Sequence, residues 1–372
     1  MKKAVKVLFI SMLALSLLLV GCGGNNNTQT PAPTPDPAPS NGEAVEQVQL
    51  EDQIVVYSSR NERFVQDLLD KFTADTGVEV VALHGASELQ LMEERNNVRA
   101  DIFISNDLGA LGYLHMQDVL QGSNPAGIES IPAEFRADDN AYFAVSLRSR
   151  GFIYNKDMIT AEEMPKSIED LFDPKWADLE GGYAITRGGN GGMIGNVSAL
   201  RYQWGDEKTA EWIQAISANA EGIYQGHGDI RRAVGAGEHT FGLVNNYYFH
   251  QQLVEPTNNN VGFIYLDQAE GQMGVVANAA GVGLVKGGPN PNAANAFLEW
   301  LLLPENQVQF VGESLELLIN SHYGAVYPPE VQPYIVDSSE LKIQDMPIKE
   351  LGNFFEDTRK LIEDSGLHLD LR

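Results

Sequence analysis

Four consecutive residues, Asn245-Asn246-Tyr247-Tyr248, place two phenols beside two amides. A free phenol ionises only near pH 10, roughly, but a phenolate is a hard anionic oxygen donor that a hard, highly charged cation stabilises. Neighbouring amides can donate hydrogen bonds to that phenolate or to a bound anion. Paired tyrosines at a strand end also serve as ordinary aromatic packing, and the residues alone leave both uses open. Arg148 and Arg150 flank one serine between two strand-like runs. Alternate residues of a strand share a face, so both guanidinium groups can enter one cleft. Arginine forks suit carboxylate, carbonate or phosphate, with a structural ion pair as the competing use. The turn Gly188-Gly189-Asn190-Gly191-Gly192 follows a strand and opens a helix. Its amides can hold a small anion or simply make a tight turn. His227 is singled out among the histidines because Gly226 and Gly228 flank it.

Other chemistries find no support. The chain has no Gly-x-Ser-x-Gly elbow, no His-Glu-x-x-His and no phosphate-cradling Gly-x-x-x-x-Gly-Lys loop. Acid pairs such as Glu93-Glu94 and Glu162-Glu163 read as solvated faces. A single cysteine rules out an intrachain disulfide framework and a thiolate metal cluster. With 51 acidic against 25 basic side chains the net charge is −26, which argues against a general nucleic-acid binder. At 372 residues and 43% apolar content, the chain suits two domains of common size with a substantial core.

The elements that must position these residues are α/β. Ile54 to Tyr57 is a β-branched strand that ends at Ser58-Ser59-Arg60-Asn61. Phe64, Leu68, Leu69 and Phe72 recur at helical spacing, and Thr76-Gly77 stops that helix. Val78 to Leu83 is a second strand and Ala100 to Ile104 a buried third, leading into Ser105-Asn106-Asp107 and a helix over 108–116. This alternation predicts a parallel sheet with helices on both faces, whose ligands lie beyond the strand carboxyl ends. Tyr142 to Leu147 and Gly151 to Tyr154 read as separate strands around Arg148-Ser149-Arg150. The strand–helix texture repeats beyond them, so two similar α/β lobes joined by crossing strands are expected.

The N-terminus reads as an address. Lys2, Lys3 and Lys6 precede a fourteen-residue apolar run, Val7 to Val20, too short at about 1.5 Å per residue to cross a ~30 Å hydrocarbon core. Residues 1–21 therefore read as a secretory signal peptide. Leu19-Val20-Gly21-Cys22 resembles the lipobox of bacterial lipoproteins, which implies a lipidated Cys22 and a membrane anchor. Residues 22–52, with Pro31, Pro33, Pro35, Pro37 and Pro39 at every second position, read as a solvated tether. Export is the expected fate, on the outer face of the cytoplasmic membrane or in a periplasm.

From about Ile54 to Tyr323 the chain resembles the ferric-ion-binding proteins of bacterial ABC importers. The matching stretches are Val55 to Arg60, Ala100 to Phe103 with Gly109 to Leu111, Arg148 to Arg150, Asp173 to Trp176, Gly242 to Tyr248 and Ala280 to Gly283. The resemblance implies an α/β, two-lobed, periplasmic-binding-protein-like (type II) fold with a hinged cleft. Residues 53–150 with about 276–327 would form one lobe, and 151–275 with about 328–372 the other. It implies a monomeric binder rather than an enzyme, with an ABC permease as partner. Its cargo would be Fe3+ with a synergistic anion such as carbonate or phosphate. Tyr247 and Tyr248 inherit the role of iron ligands. Ser59, Arg60, Asn61, Asn106, Arg148, Arg150, Asn190, Gly191, His227 and Asn245 are the expected anion- or substrate-binding residues. The sequence departs from the pattern where relatives place further ligands: it has Asn61-Glu62 after the first strand, Asn106-Asp107 after the third, and glycine near 191. Neutral amides are poor ferric ligands, so the metal would rest on the two phenolates and an exogenous anion or water, with Glu62 and Asp107 as further candidates. A same-fold binder of an organic phosphate or phosphonate without iron is the alternative, and a lipid-anchored hydrolase is the rival of another class.

Overall fold

The computed structural model describes residues 49–255, 260–346 and 348–371, so the expected signal peptide and lipidated Cys22 and most of the expected tether lie outside the described residues. In chain order the elements are β1 (Gln53–Ser58), α1 (Gln66–Thr76), β2 (Glu79–His84), α2 (Glu88–Glu94), β3 (Ile102–Ser105), α3 (Leu108–Met116) and β4 (Tyr142–Asn155). There follow β5 (Tyr183–Thr186), α4 (Gly191–Asn219), β6 (Gly222–Tyr224), α5 (His227–Ala236), β7 (Phe241–Asn245), α6 (Asn246–Val254) and β8 (Val261–Tyr265). The chain closes with β9 (Ala277–Leu284), α7 (Pro291–Leu301), α8 (Pro304–Ser314), β10 (Leu317–Leu318) and α9 (Phe355–Asp364).

Local chemistry sets these boundaries. Gly77 takes a φ of 80° and ends α1 in the left-handed conformation that costs glycine least. Asp107 caps α3 by accepting from the amides of Gly109 and Ala110. The stretch 191–219 is two helices broken at Gly205, where φ is 78° and ψ 171°.

The strands form one sheet in the order β2-β1-β3-β9-β4-β7-β5-β6, with β8 and β10 also pairing to β4. It is mixed rather than parallel, correcting the expectation from the alternating pattern. β1 runs parallel to β2 and β3, and β5 parallel to β6 and β7. β9 and β4 lie antiparallel between the two parallel groups. Arg148-Ser149-Arg150 does not interrupt a strand, as expected, but sits inside the continuous fourteen-residue β4. Its first half pairs with β9 and its second with β7 and β8, so β4 crosses from one group to the other at these arginines.

Ile54, Val56, Ile102 and Ile104 pack with Leu68, Phe72, Phe297 and Phe310 on one side of the first group. A second apolar body runs from Phe103 and Leu111 through Phe152, Tyr183 and Phe241 to Trp212. Among the described residues no helix is long and apolar enough to cross a membrane.

The C-terminal stretch touches both strand groups. Its 3₁₀ turn Ile348–Phe354 packs on α3, while α9 packs on α4. Beyond α9, the carbonyls of His368 and Leu369 accept from the amides of Gly188 (2.8 Å) and Gly189 (3.0 Å). A Cβ on Gly189 would lie 2.4 Å from the Leu369 carbonyl oxygen, so glycine is required for this approach. The turn that launches α4 is therefore held by His368 and Leu369. Deleting residues 367–372 should lower stability by about 2–4 kcal/mol, from two backbone hydrogen bonds and the buried Leu367. Denaturant titration measures that loss, and hydrogen exchange should show the Gly188 and Gly189 amides losing protection first.

Candidate functional site

β4 brings two guanidinium groups into the interior. Arg148 sits opposite Asn278 of β9, and Arg150 opposite Asn245 of β7. They are 6% and 4% exposed, far below the norm for arginine, so their surroundings must satisfy them. Arg150 Nη1 donates to Asn245 Oδ1 at 2.8 Å and lies 2.8 Å from His227 Nε2. Burial first, then Arg150 and Arg148, hold the His227 imidazole well below its ordinary pKa. His227 is therefore neutral at pH 7, and its Nε2 accepts from the guanidinium. Burial and the neighbouring Arg148 pull Arg150 down to about 9, which leaves it charged at neutral pH but poorly solvated. A guanidinium held by two neutral acceptors is a site that favours an incoming anion.

Arg148 has a different partner. Its Nη1 stands 3.8 Å from Glu316 Oε1. Glu316, 1% exposed, also takes Arg60 at 3.0 Å, Ser146 Oγ at 2.5 Å and Ser314 Oγ at 3.1 Å. Burial raises the Glu316 pKa, but the two arginines and Ser146 outweigh it and hold the carboxyl below its ordinary value. The guanidinium of Arg60 also lies over the Phe310 ring, 4.6 Å from its centre.

Three helices of the second strand group begin here, each following the carboxyl end of a strand: α4, α5 and α6. Asn190 caps α4 by accepting from Gly192 at 2.9 Å. α5 and α6 have no side-chain cap; the Asn245 oxygen, in position to cap α6, is spent on Arg150. Their first-turn amides and the positive ends of their dipoles add to the charge of the arginines. Gly192 lets α4 approach closely, since a Cβ there would lie 2.4 Å from Arg150 Nη2 and 2.8 Å from His227 Cε1.

Tyr247 and Tyr248 occupy the first turn of α6 rather than the strand end. Their rings lie 4.4 Å apart at 33°, and His227 meets the Tyr248 ring edge-on at 5.1 Å. Tyr247 is the strongest influence raising the Tyr248 pKa well above 10, followed by burial and a hydrogen bond between the two phenols. Without a cation the Tyr248 phenol keeps its proton at neutral pH. A metal bound by both must displace protons, so its affinity rises with pH.

The structure thus brings together Arg148, Arg150, His227, Asn245, Tyr247, Tyr248 and the α4 N-terminus with Asn190. Gly191 is exposed at the start of α4. The other expected residues are engaged locally. Arg60 is sequestered with Glu316. Ser59 and Asn106 bind each other, Asn106 N to Ser59 Oγ and Asn106 Nδ2 to Ser59 O, both at 2.9 Å. Asn61 caps a 3₁₀ turn through Arg63 N, and Glu62 is exposed on that turn. Asp107 Oδ1 is taken by the α3 cap, while Oδ2 lies 3.8 Å from where a Cβ would sit on Gly195 of α4. Among the described residues no group of three or more His, Cys, Asp or Glu is placed to hold a metal.

Three residues escaped the sequence reading. Asn196 and Asn278 line a cavity with Arg148, Arg150, Gly192, Gly195, Asn245 and Val276. Glu316 anchors Arg148 from behind. Each is a polar residue inside an apolar run, which was the available signal.

The sequence model of the bacterial extracellular solute-binding proteins matches residues 67–332. The chain belongs to that family. This solute-binding protein is 29% identical over 327 residues to iron uptake protein A1 of Synechocystis, covering 85% of this chain and 88% of the relative. It is 27% identical over 259 residues to the Fe(3+)-binding periplasmic protein of Serratia marcescens, covering 68% and 75%. Its fold matches that of Trichodesmium FutA in complex with iron and citrate ligands, with a TM-score of 0.73, 26% identity, and coverage of 85% and 99%. The architecture is accordingly the two-lobed, type II arrangement of solute-binding proteins, with the arginines on the crossing strand.

Removing the Glu316 carboxylate leaves Arg60 buried and unpaired. Glu316→Gln should therefore cost about 3–5 kcal/mol in a denaturant titration, and adding Arg60→Met should recover part of that loss. The pH profile offers a separate check. Because the folded His227 titrates below its unfolded value, the unfolded chain binds the extra proton first as the solution is acidified. The contribution is present above about pH 6.5 and declines as pH falls below it. His227→Gln should flatten the stability profile between about pH 6.5 and 5.

Proposed function

We propose that this protein is the binding component of an ABC importer that captures ferric ion together with a small anion and passes both to the permease. The observation that carries the reading is the tyrosine pair in the first turn of α6, beside two buried arginines and uncapped helix N-termini. Phenolates from Tyr247 and Tyr248 would supply two hard oxygen donors. An anion seated against Arg148, Arg150 and the helix N-termini would supply the others, because Asn61, Asn106 and Asp107 are engaged elsewhere. Carbonate, phosphate or citrate are anions of the required kind. The iron relatives, and the Trichodesmium protein in complex with iron and citrate ligands, support a cargo of iron accompanied by an anion.

The lobes we propose are 53–150 with about 276–327 and, opposite, 151–275, with the segment from 328 onward reaching both. α4 lies against Asn278 and Asp107 in this structure, an approach Gly195 permits because a Cβ there would lie 3.1 Å from Asn278 Nδ2, so the cleft we propose is closed here. Export and anchoring through a lipidated Cys22 complete the proposal, and the protein acts as a monomeric carrier, not an enzyme.

The test uses the body from Gly24 onward. Ferric ion added with carbonate or phosphate should give a visible phenolate-to-iron charge-transfer band and about one bound iron per chain. Changing both Tyr247 and Tyr248 to Phe should abolish the band while the fold survives. Tight binding of a phosphorylated solute with neither band nor bound iron would replace this reading with the phosphate one.

A further inference from the structure

The cavity between Arg148 and α4 has an uneven hydrogen-bonding inventory. Its volume is about 10 Å³, the space of about one water or one oxygen substituent. Arg148 and Arg150 can only donate. Asn278 Oδ1 already accepts from Ala279 N at 2.7 Å and Leu108 N at 3.3 Å, and its Nδ2 is the atom directed at Gly195. Asn245 Oδ1 and His227 Nε2 are both engaged by Arg150. Asn196 stands apart. It is 1% exposed, lines the cavity, and neither its amide nitrogen nor its oxygen has a hydrogen-bond partner. An unpaired buried amide costs stability until something binds it.

A bound oxyanion can accept from the arginines, from Asn278 Nδ2 and from Asn196 Nδ2. It cannot satisfy the Asn196 oxygen unless it also carries a proton on one of its oxygens. We propose that Asn196 is a specificity residue that selects a co-bound anion bearing a hydroxyl or acidic O–H, such as an α-hydroxycarboxylate, bicarbonate or hydrogen phosphate. The O–H enters the cavity, donates to Asn196 Oδ1 and accepts from Arg148 or Asn278. Dicarboxylates without a hydroxyl, and sulfate, leave that oxygen unpaired and bind less well. This rests on the ferric-carrier reading for its biological meaning, but the anion preference itself can be measured without iron.

Matched anions give the cleanest test. L-malate and succinate differ by one hydroxyl, and titration calorimetry on the iron-free body avoids differences in iron chelation. Malate should bind tighter than succinate by about tenfold or more, as for sites built around a substrate hydroxyl. Asn196→Leu keeps the size but removes both hydrogen-bonding atoms, and should bring the two anions within about threefold of each other. Asn196→Asp keeps the acceptor: its added charge should weaken both anions while the preference for malate persists, which covers the case in which the leucine variant does not fold. Equal affinity for malate and succinate in the wild type would overturn the proposal, leaving Asn196 satisfied by a buried water. So would a preference unchanged in Asn196→Leu. Failure of the ferric band with malate preference intact would overturn the iron reading alone.

Discussion

Two guanidinium groups buried on one strand govern the rest of this structure. Arginine is costly to desolvate, and among the described residues Arg150 has two neutral acceptors, Asn245 and His227, to offset that cost. Everything around it follows from this deficit. Asn245 gives up capping α6 to hold Arg150, Gly192 lets a helix N-terminus close on the same group, and His227 stays neutral beside it. Arg148 is relieved by Glu316, which the sequestered Arg60 and Ser146 hold ionised. The site therefore keeps a standing demand for negative charge, placed where β4 crosses between the two strand groups.

That demand is the reverse of the charge on the whole chain. The net charge is −26, and loss of residues 1–21 with Lys2, Lys3 and Lys6 would make it −29. A strongly acidic exterior favours encounter with cations, whereas the interior of the cleft favours anions. A trivalent metal accompanied by an anion satisfies both. In the proposed reading the cation would replace the phenol protons of Tyr247 and Tyr248, and the anion would neutralise the arginines. Neither component alone balances the site, so the two should bind cooperatively.

Much of this was legible in the residues. The β-branched runs and Thr76-Gly77 gave the first strands and helices, and the Tyr247–Tyr248 and Arg148–Arg150 pairs named side chains that the fold brings together. What was hidden had physical causes. The polar triplet at 148–150 looked like a break because a buried arginine in a strand is uncommon. Antiparallel β9 between parallel strands is a matter of long-range order that local pattern does not encode. Asn196, Asn278 and Glu316 lie within apolar runs, where their polarity had no visible partner until the fold supplied one. Arg60, Asn61 and Asn106 sit at strand carboxyl ends, as ligand residues do, but their side chains are committed to local bonds.

The central claim is that iron and anion occupy one site, metal on the tyrosines and anion on the arginines. Crystallography of the ferric-loaded protein with anomalous diffraction at the iron edge tests it most directly. The account predicts one iron peak within bonding distance of both Tyr247 and Tyr248 oxygens, bridged by an anion in contact with Arg148 or Arg150. An iron peak away from the tyrosines, or an anion filling the cleft with no metal beside them, would contradict it.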